Sequence, residues 1–141
     1  MSKITFIFAL LFSFSALAKS PVDGIPPEKL KKDFFNAYEK SPDSEKIFIR
    51  KNTVSCGTVA NAKRMRGFLI AQSNQIDRQD IRNLSCHLVE GQALGIVIAS
   101  EGGYYFLVHT FPFSPGEIAT GWFDGGTILT VAQRKKLTGA N

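Results

Sequence analysis

Three strand-forming runs separated by turn residues occupy the C-terminal half of the chain and restrict it to folds that contain an antiparallel sheet. The runs span residues 93–100 (ALGIVIAS), 104–113 (YYFLVHTFPF) and 118–130 (IATGWFDGGTILT). Residues 101–103 (EGG) and 114–117 (SPGE) lie between them, and glycine accepts the positive φ angles that tight turns impose. The first run is almost entirely apolar, which is typical of a buried central strand. This pattern predicts an antiparallel meander of three or four strands.

The N-terminal half has the periodicity of amphipathic helices. Residues 28–40 repeat apolar side chains every three or four positions, which predicts a first helix. Residues 58–71 place Val59, Ala62, Met65 and Leu69 on one face and predict a second helix. Gly67 costs this helix about 1 kcal/mol relative to alanine, so a strand over residues 65–71 remains an alternative.

Weaker signals fill the remaining segments. Asp80 is a suitable N-cap for a third helix that ends at Gly91. Residues 47–54 predict one short extended segment leading to the first cysteine, and residues 131–141 predict a short terminal helix or a frayed end.

Together these elements predict one α+β domain over residues 28–141, in which N-terminal helices pack on the C-terminal antiparallel meander of three to four strands. Residues 19–27 (KSPVDGIPP) contain three prolines and predict a flexible lead-in.

The first 18 residues (MSKITFIFALLFSFSALA) have the pattern of a secretory signal peptide. Lys3 precedes an apolar run that ends in small residues, as a signal peptidase requires. The run is about 14 residues long, whereas crossing a bilayer takes roughly 20. We therefore expect cleavage, a mature chain beginning at Lys19, and a periplasmic or secreted location without a stable membrane anchor.

The chain holds two cysteines, Cys56 and Cys86, and both follow the predicted leader. An even number of cysteines in an oxidising compartment predicts one disulfide, which closes a loop worth about 3–4 kcal/mol in the chain-entropy model. The competing interpretation is a nucleophilic thiol, in which Cys56 is activated by His109 or His87 and Asp124 orients that histidine. The disulfide is favoured because the two cysteines form neither a Cys-x-x-Cys redox motif nor part of a metal-binding cluster.

Charge and histidine placement predict neither a nucleic-acid partner nor a metal. The chain carries 17 Lys+Arg and 12 Asp+Glu, a net charge of +5. The basic groups at residues 63–66 and 134–136 are too sparse for a dedicated nucleic-acid surface and are expected to be solvated. His87 and His109 do not have the spacing of a metal site, and His109 is expected to be a half-exposed strand residue. No cofactor is predicted.

Aromatic residues are concentrated between residues 104 and 123. They are Tyr104, Tyr105, Phe106, Phe111, Phe113, Trp122 and Phe123. Because a strand alternates its faces, not all of these rings fit in one core. Most are expected to pack inside, with Trp122 and Tyr104 as exposed exceptions. Trp122, Phe123, Tyr104 and Phe113 form the predicted partner-binding set, since rigid rings bury area at small entropic cost.

These observations predict a small exported protein that binds a protein partner in the cell envelope and is not an enzyme. An immunity or inhibitor-type protein, or an accessory subunit of an envelope assembly, fits one disulfide-linked domain without a catalytic constellation. A cysteine-dependent hydrolase using Cys56 and His109 is the alternative.

Overall fold

The computed structural model describes residues 20–71 and 78–139, and the predicted signal peptide lies outside these ranges. Within them the chain forms four helices and seven strands. In chain order these are α1 (Pro27–Lys40), β1 (Lys46–Ile49), β2 (Thr53–Cys56), α2 (Val59–Ala71), α3 (Arg78–Asn83), β3 (Cys86–Val89), β4 (Ala93–Glu101), β5 (Tyr104–Thr110), β6 (Ile118–Asp124), a 3₁₀ turn (Gly125–Thr127), β7 (Ile128–Thr130) and α4 (Val131–Thr138).

The seven strands form one antiparallel sheet in the order β3-β2-β6-β5-β4-β1-β7. The predicted meander is its centre: β4 pairs with β5, and β5 pairs with β6 from Tyr104↔Asp124 to Thr110↔Ile118. The mixed α+β class is confirmed, but the expected count of three to four strands is too low. Four short strands, β1, β2, β3 and β7, extend the meander on both sides.

The short segment predicted over residues 47–54 is divided into two strands. A turn at Arg50–Asn52 separates β1 from β2, and Asn52 adopts a positive φ of 68°, a conformation that asparagine tolerates better than most residues. As a result β1 pairs with β4 whereas β2 pairs with β3 and β6.

The helix predicted from Asp80 to Gly91 ends much earlier than expected. α3 stops at Asn83, Ser85 has a positive φ of 54°, and residues 86–89 form β3. A six-residue helix is marginal by itself, and the residues after it instead gain ladder hydrogen bonds with β2. The prediction of a helix through Leu88 is therefore wrong.

The second predicted helix is confirmed as α2, so the strand alternative for residues 65–71 is wrong. Val59, Ala62 and Met65 are buried against the sheet. Gly67 lies on the open side, where a Cβ would have no atom within 4 Å. The terminal helix is present as α4, where Thr130 and Gln133 form a reciprocal capping box.

The sheet is buried on both faces. α1, α2 and α3 cover one face through an apolar cluster that includes Phe34, Met65 and Ile81. The other face closes on itself, because side chains from distant strands, such as Ile49, Val89 and Phe123, share a second cluster. The sheet is therefore curled, with one core under the helices and another inside the curl.

The predicted α+β arrangement places the helices that pack on the sheet before the strands. In the structure the last helix, α4, follows the last strand, β7. The predicted flexible lead-in does not extend away from the domain. Pro21 is fully buried, and Val22 and Ile25 pack against the helix-covered core.

Candidate functional site

Three of the four predicted partner-binding residues are buried. Tyr104 and Trp122 are 5% and 6% exposed, and Phe123 has no exposed surface. The expectation that Trp122 and Tyr104 are surface exceptions is wrong, because both sheet faces are covered. Trp122 packs edge-to-face on Phe106 beneath the helices, with ring centroids 5.4 Å apart, and Phe123 points into the curl.

Phe113 is the exception, with 72% of its surface exposed. It belongs to the connection between β5 and β6, residues 111–117, which we name the aromatic loop. Phe111, at the start of the loop, is 48% exposed. The predicted partner-binding role therefore remains a prediction for Phe113, with Phe111 beside it.

Backbone hydrogen bonds hold the aromatic loop in one shape. The Phe111 N–H donates to the Glu117 carbonyl at 3.1 Å, the Ser114 N–H to the Phe111 carbonyl at 3.3 Å, and the Glu117 N–H to the Ser114 carbonyl at 3.0 Å. Gly116 provides the positive φ of 85° that the turn requires. The Glu117 carboxylate also accepts from Lys31 Nζ at 3.2 Å, which ties the loop to α1.

A cavity of about 450 Å³ adjoins this loop, and we name it the loop cavity. It is lined by His87, Leu88, Val89, Glu90, His109, Phe111, Pro112, Phe113 and Ala119. The corner after β3 forms part of its frame: a Cβ at Gly91 would lie 2.8 Å from Pro112 Cβ and 3.3 Å from Phe113 Cζ. Only a glycine allows the corner to pack this closely under the loop.

His109 contributes a buried polar group to the loop cavity. Its side chain is 2% exposed, so the expectation of a half-exposed residue is wrong. Nδ1 lies 2.8 Å from the Thr110 carbonyl oxygen, and because a carbonyl only accepts, Nδ1 carries the proton. Burial lowers the pKa of His109, which keeps the ring neutral and leaves Nε2 as an acceptor. Nε2 has no hydrogen-bond partner among the described residues.

His87 lies at the exposed rim of the same cavity, and partial burial of its ring lowers its pKa. Two histidines on one cavity fall short of the three or four ligands of a typical metal site. Residues 20–71 and 78–139 contain no cluster of three His, Cys, Asp or Glu side chains placed to hold a metal ion.

The alternative catalytic pair is not assembled. Cys56 and Cys86, which face each other across β2 and β3, are joined by a disulfide with an S–S distance of 2.04 Å. This confirms the predicted bridge and leaves Cys56 without a thiol. Cys56 also packs in the helix-covered core, whereas His109 packs edge-to-face with Phe123 on the opposite face of the sheet.

Asp124, the third residue of the alternative catalytic set, also contacts other groups. Its Oδ1 accepts from the Gly126 N–H at 3.0 Å, and its Oδ2 lies 3.4 Å from Arg66 Nε. The Arg66 contact lies at a second cavity, of about 330 Å³, between α2 and the β1–β2 turn. Arg50 and Lys51 also line this cavity, together with apolar side chains such as Met65.

The predicted basic groups do not form one surface. Lys63 and Arg64 are exposed on α2. Lys135 forms an ion pair with Asp43 at 2.6 Å, and the Arg134 guanidinium lies 4.2 Å from the Phe48 ring centroid. These contacts agree with charges that serve solubility and local packing.

Other exposed apolar side chains of the described chain are scattered. Besides the aromatic loop they are Phe35, Phe68, Ile70 and Leu137. The aromatic loop differs because its two exposed rings line a cavity that is also lined by His109, the residue with the unpartnered Nε2. The sequence did not identify His109 as a residue that lines this cavity, because a single histidine in a strand gives no local indication that it is buried.

Comparison of the chain with protein-family models, curated proteins and solved structures found no match. None of the helices within the described ranges combines the length and apolarity needed to cross a bilayer.

Proposed function

We propose that this protein is a non-enzymatic binding protein of the cell envelope that captures a protein partner through the aromatic loop, in the manner of an inhibitor or immunity protein. The observation that carries this proposal is the 72% exposure of Phe113 on a loop closed by three backbone hydrogen bonds. A large ring on a loop whose backbone is fixed before binding costs less ordering entropy on association than one on a mobile loop, which is the character of an interface hot spot.

The covalent chemistry of the chain supports an oxidising location. The Cys56–Cys86 disulfide is of the kind that persists in the periplasm or outside the cell, and the predicted leader would bring the chain there. The same bridge removes the only candidate thiol nucleophile, which favours binding over hydrolysis.

The positive charge of the chain favours a protein partner whose surface is mildly acidic. The full chain has a net charge of +5, to which Lys3 of the predicted leader contributes one. A positive net charge favours association with acidic surfaces, yet near the aromatic loop Lys31 and Glu117 form an ion pair. An accessory subunit of an envelope assembly would use the same loop, and the identity of the captured protein distinguishes the two roles.

Capture from envelope extract with matched variants tests the proposal. Wild type, Phe113→Ala and Leu137→Ala serve as baits. Leu137 is 74% exposed on α4, so its truncation removes a similarly exposed apolar side chain away from the loop. We expect wild type and Leu137→Ala to retain the same protein, and Phe113→Ala to retain at least about thirtyfold less, since loss of a hot spot costs about 2 kcal/mol or more.

Equal retention by Phe113→Ala and wild type would contradict the proposal. So would the absence of any protein retained by wild type above a bead-only control. Thermal melts of the three baits, which we expect to be nearly identical, establish that Phe113→Ala remains folded.

A further inference from the structure

The loop cavity is lined mostly by apolar side chains and by His109, whose Nε2 is an acceptor without a hydrogen-bond partner among the described residues. The volume of about 450 Å³ lies in the range of clefts that hold small ligands or single side chains. The acceptor is Nε2 of His109, on a side chain only 2% exposed. A buried acceptor without a partner carries a desolvation cost that a bound donor would remove.

We propose that the loop cavity receives a tyrosine side chain of the partner, whose phenolic hydroxyl donates a hydrogen bond to Nε2 of His109. This inference rests on the proposed function, because it names the group that the partner places beside Phe113. It is independent of the partner's identity.

An aromatic occupant fits the walls. Phe111, Pro112 and Phe113 form one side, and Leu88, Val89 and Ala119 contribute apolar surface on the other. Aromatic pairs gain about 0.5–1.5 kcal/mol beyond their area burial in edge-to-face or offset arrangements. Exposed hot spots also tend to pair with hot spots of the partner, among which tyrosine is enriched.

A neutral donor fits the polar end. The Thr110 carbonyl fixes the proton on Nδ1, so Nε2 accepts and does not donate. Glu90 at the rim disfavours an entering carboxylate, and an ammonium or guanidinium group would lose much hydration in an apolar cavity. A phenol supplies one donor on an apolar body.

Entry requires a small adjustment at the closed end of the cavity. Nε2 exposes less than 1 Å² in the free protein, so a hydroxyl reaches it when a wall side chain turns aside. Phe113, with most of its surface in solvent, has the most room to turn.

Titration of the intact, oxidised protein with p-cresol and toluene, followed by NMR, tests the inference. The two probes differ only in the hydroxyl group. We expect p-cresol to bind about tenfold more tightly, the ratio corresponding to one satisfied buried hydrogen bond. His109→Phe retains a ring against Phe123 but removes the acceptor, and should bring the ratio close to one. His87→Ala, at the rim, should leave the ratio unchanged.

A second measurement needs no variant. Addition of p-cresol should shift the ¹⁵N resonance of His109 Nε2, and toluene should not. Equal affinities for the two probes, or an unchanged Nε2 resonance with bound p-cresol, would overturn the inference. If either occurs while Phe113→Ala still abolishes capture, the proposed function stands and only the tyrosine assignment fails.

Discussion

Two buried polar atoms stand out at the scale of single residues, Ser55 Oγ and His109 Nε2. Both lack a hydrogen-bond partner among the described residues, and leaving such a group unpaired costs about 1–3 kcal/mol. The two differ in their surroundings. Ser55 Oγ lies against Gly121 in the interior, whereas His109 lines a cavity with an exposed rim. Of the two, only His109 Nε2 belongs to a residue that lines a cavity, where a bound donor would offset the cost of leaving it unpaired.

Acidification should destabilise the protein through His109. Burial, with a smaller contribution from His87, holds the pKa of folded His109 below its ordinary value of 6.5, although the Thr110 carbonyl opposes the shift. Between the two pKa values the unfolded chain binds more protons, so stability is fully present above the unfolded pKa and is lost as pH falls below it. We expect a lower free energy of unfolding at about pH 5 than at about pH 7.5.

Urea denaturation of wild type and His109→Phe at both pH values measures this effect. The variant should lose less stability on acidification. A smaller dependence should persist from His87, because partial burial lowers its pKa as well. If both proteins have the same pH dependence, His109 is not the group responsible.

At the scale of elements, each strand of the meander is packed on two faces, and glycine occurs where strands approach most closely. A Cβ on Gly121 in β6 would overlap Ser55 Oγ on β2 and lie 3.4 Å from the Cys56 carbonyl oxygen. In α2, by contrast, a Cβ on Gly67 meets nothing within 4 Å. The same residue type is thus required in one element and dispensable in the other.

Alanine at these two positions should change stability in opposite directions. Gly121→Ala should lower the free energy of unfolding by about 1–3 kcal/mol through overpacking. Gly67→Ala should raise it by about 0.5–1 kcal/mol, because glycine in a helix interior is less stable than alanine by that amount. Urea denaturation measures both.

A double variant identifies the cause at Gly121. Ser55→Ala removes the overlapping hydroxyl, so Gly121→Ala should cost clearly less in that background. An unchanged cost would show that Ser55 Cβ or the Cys56 carbonyl, at 3.2 and 3.4 Å, and not the serine hydroxyl, resists the added methyl group.

At the scale of the whole molecule, a curled sheet joins two cores, and the disulfide anchors its β2–β3 end. The bridge links residues 30 positions apart in sequence, and α2 and α3 lie within the loop that it closes. β3 is the terminal strand of the sheet, with β2 as its neighbour. The covalent link therefore secures an edge that has ladder hydrogen bonds on one side.

Removal of the bridge should affect global stability. The Cys56→Ala/Cys86→Ala protein should lose about 3–4 kcal/mol in free energy of unfolding, the value expected for a loop of this length. Urea denaturation of the oxidised wild type and the double variant gives the difference. A loss well under about 1 kcal/mol would mean that the loop between the cysteines is already restricted in the unfolded chain.

Local periodicity was sufficient for several elements of this fold. The helix spacing of Leu30, Phe34 and Tyr38, the glycine turn at residues 101–103 and the strand-forming run that begins at residue 104 depend on neighbours a few positions away. α1, α2 and the central meander follow from such patterns. The disulfide was also predictable, since a chain with two cysteines allows only one pairing.

Burial was decided by contacts between distant segments. Trp122, Tyr104 and His109 are enclosed because helices cover one face of the sheet and the sheet's own curl covers the other. No short stretch of sequence indicates that the curled sheet will cover its own second face. The ladder with β2 likewise converted residues 86–89 from a predicted helix to a strand. Sequence alone determined which segments were helical or extended at the centre of the fold and which sulfurs were joined. Tertiary structure decided the number of strands and left Phe113 outside beside a buried acceptor, because the faces that meet are chosen by packing across the whole chain.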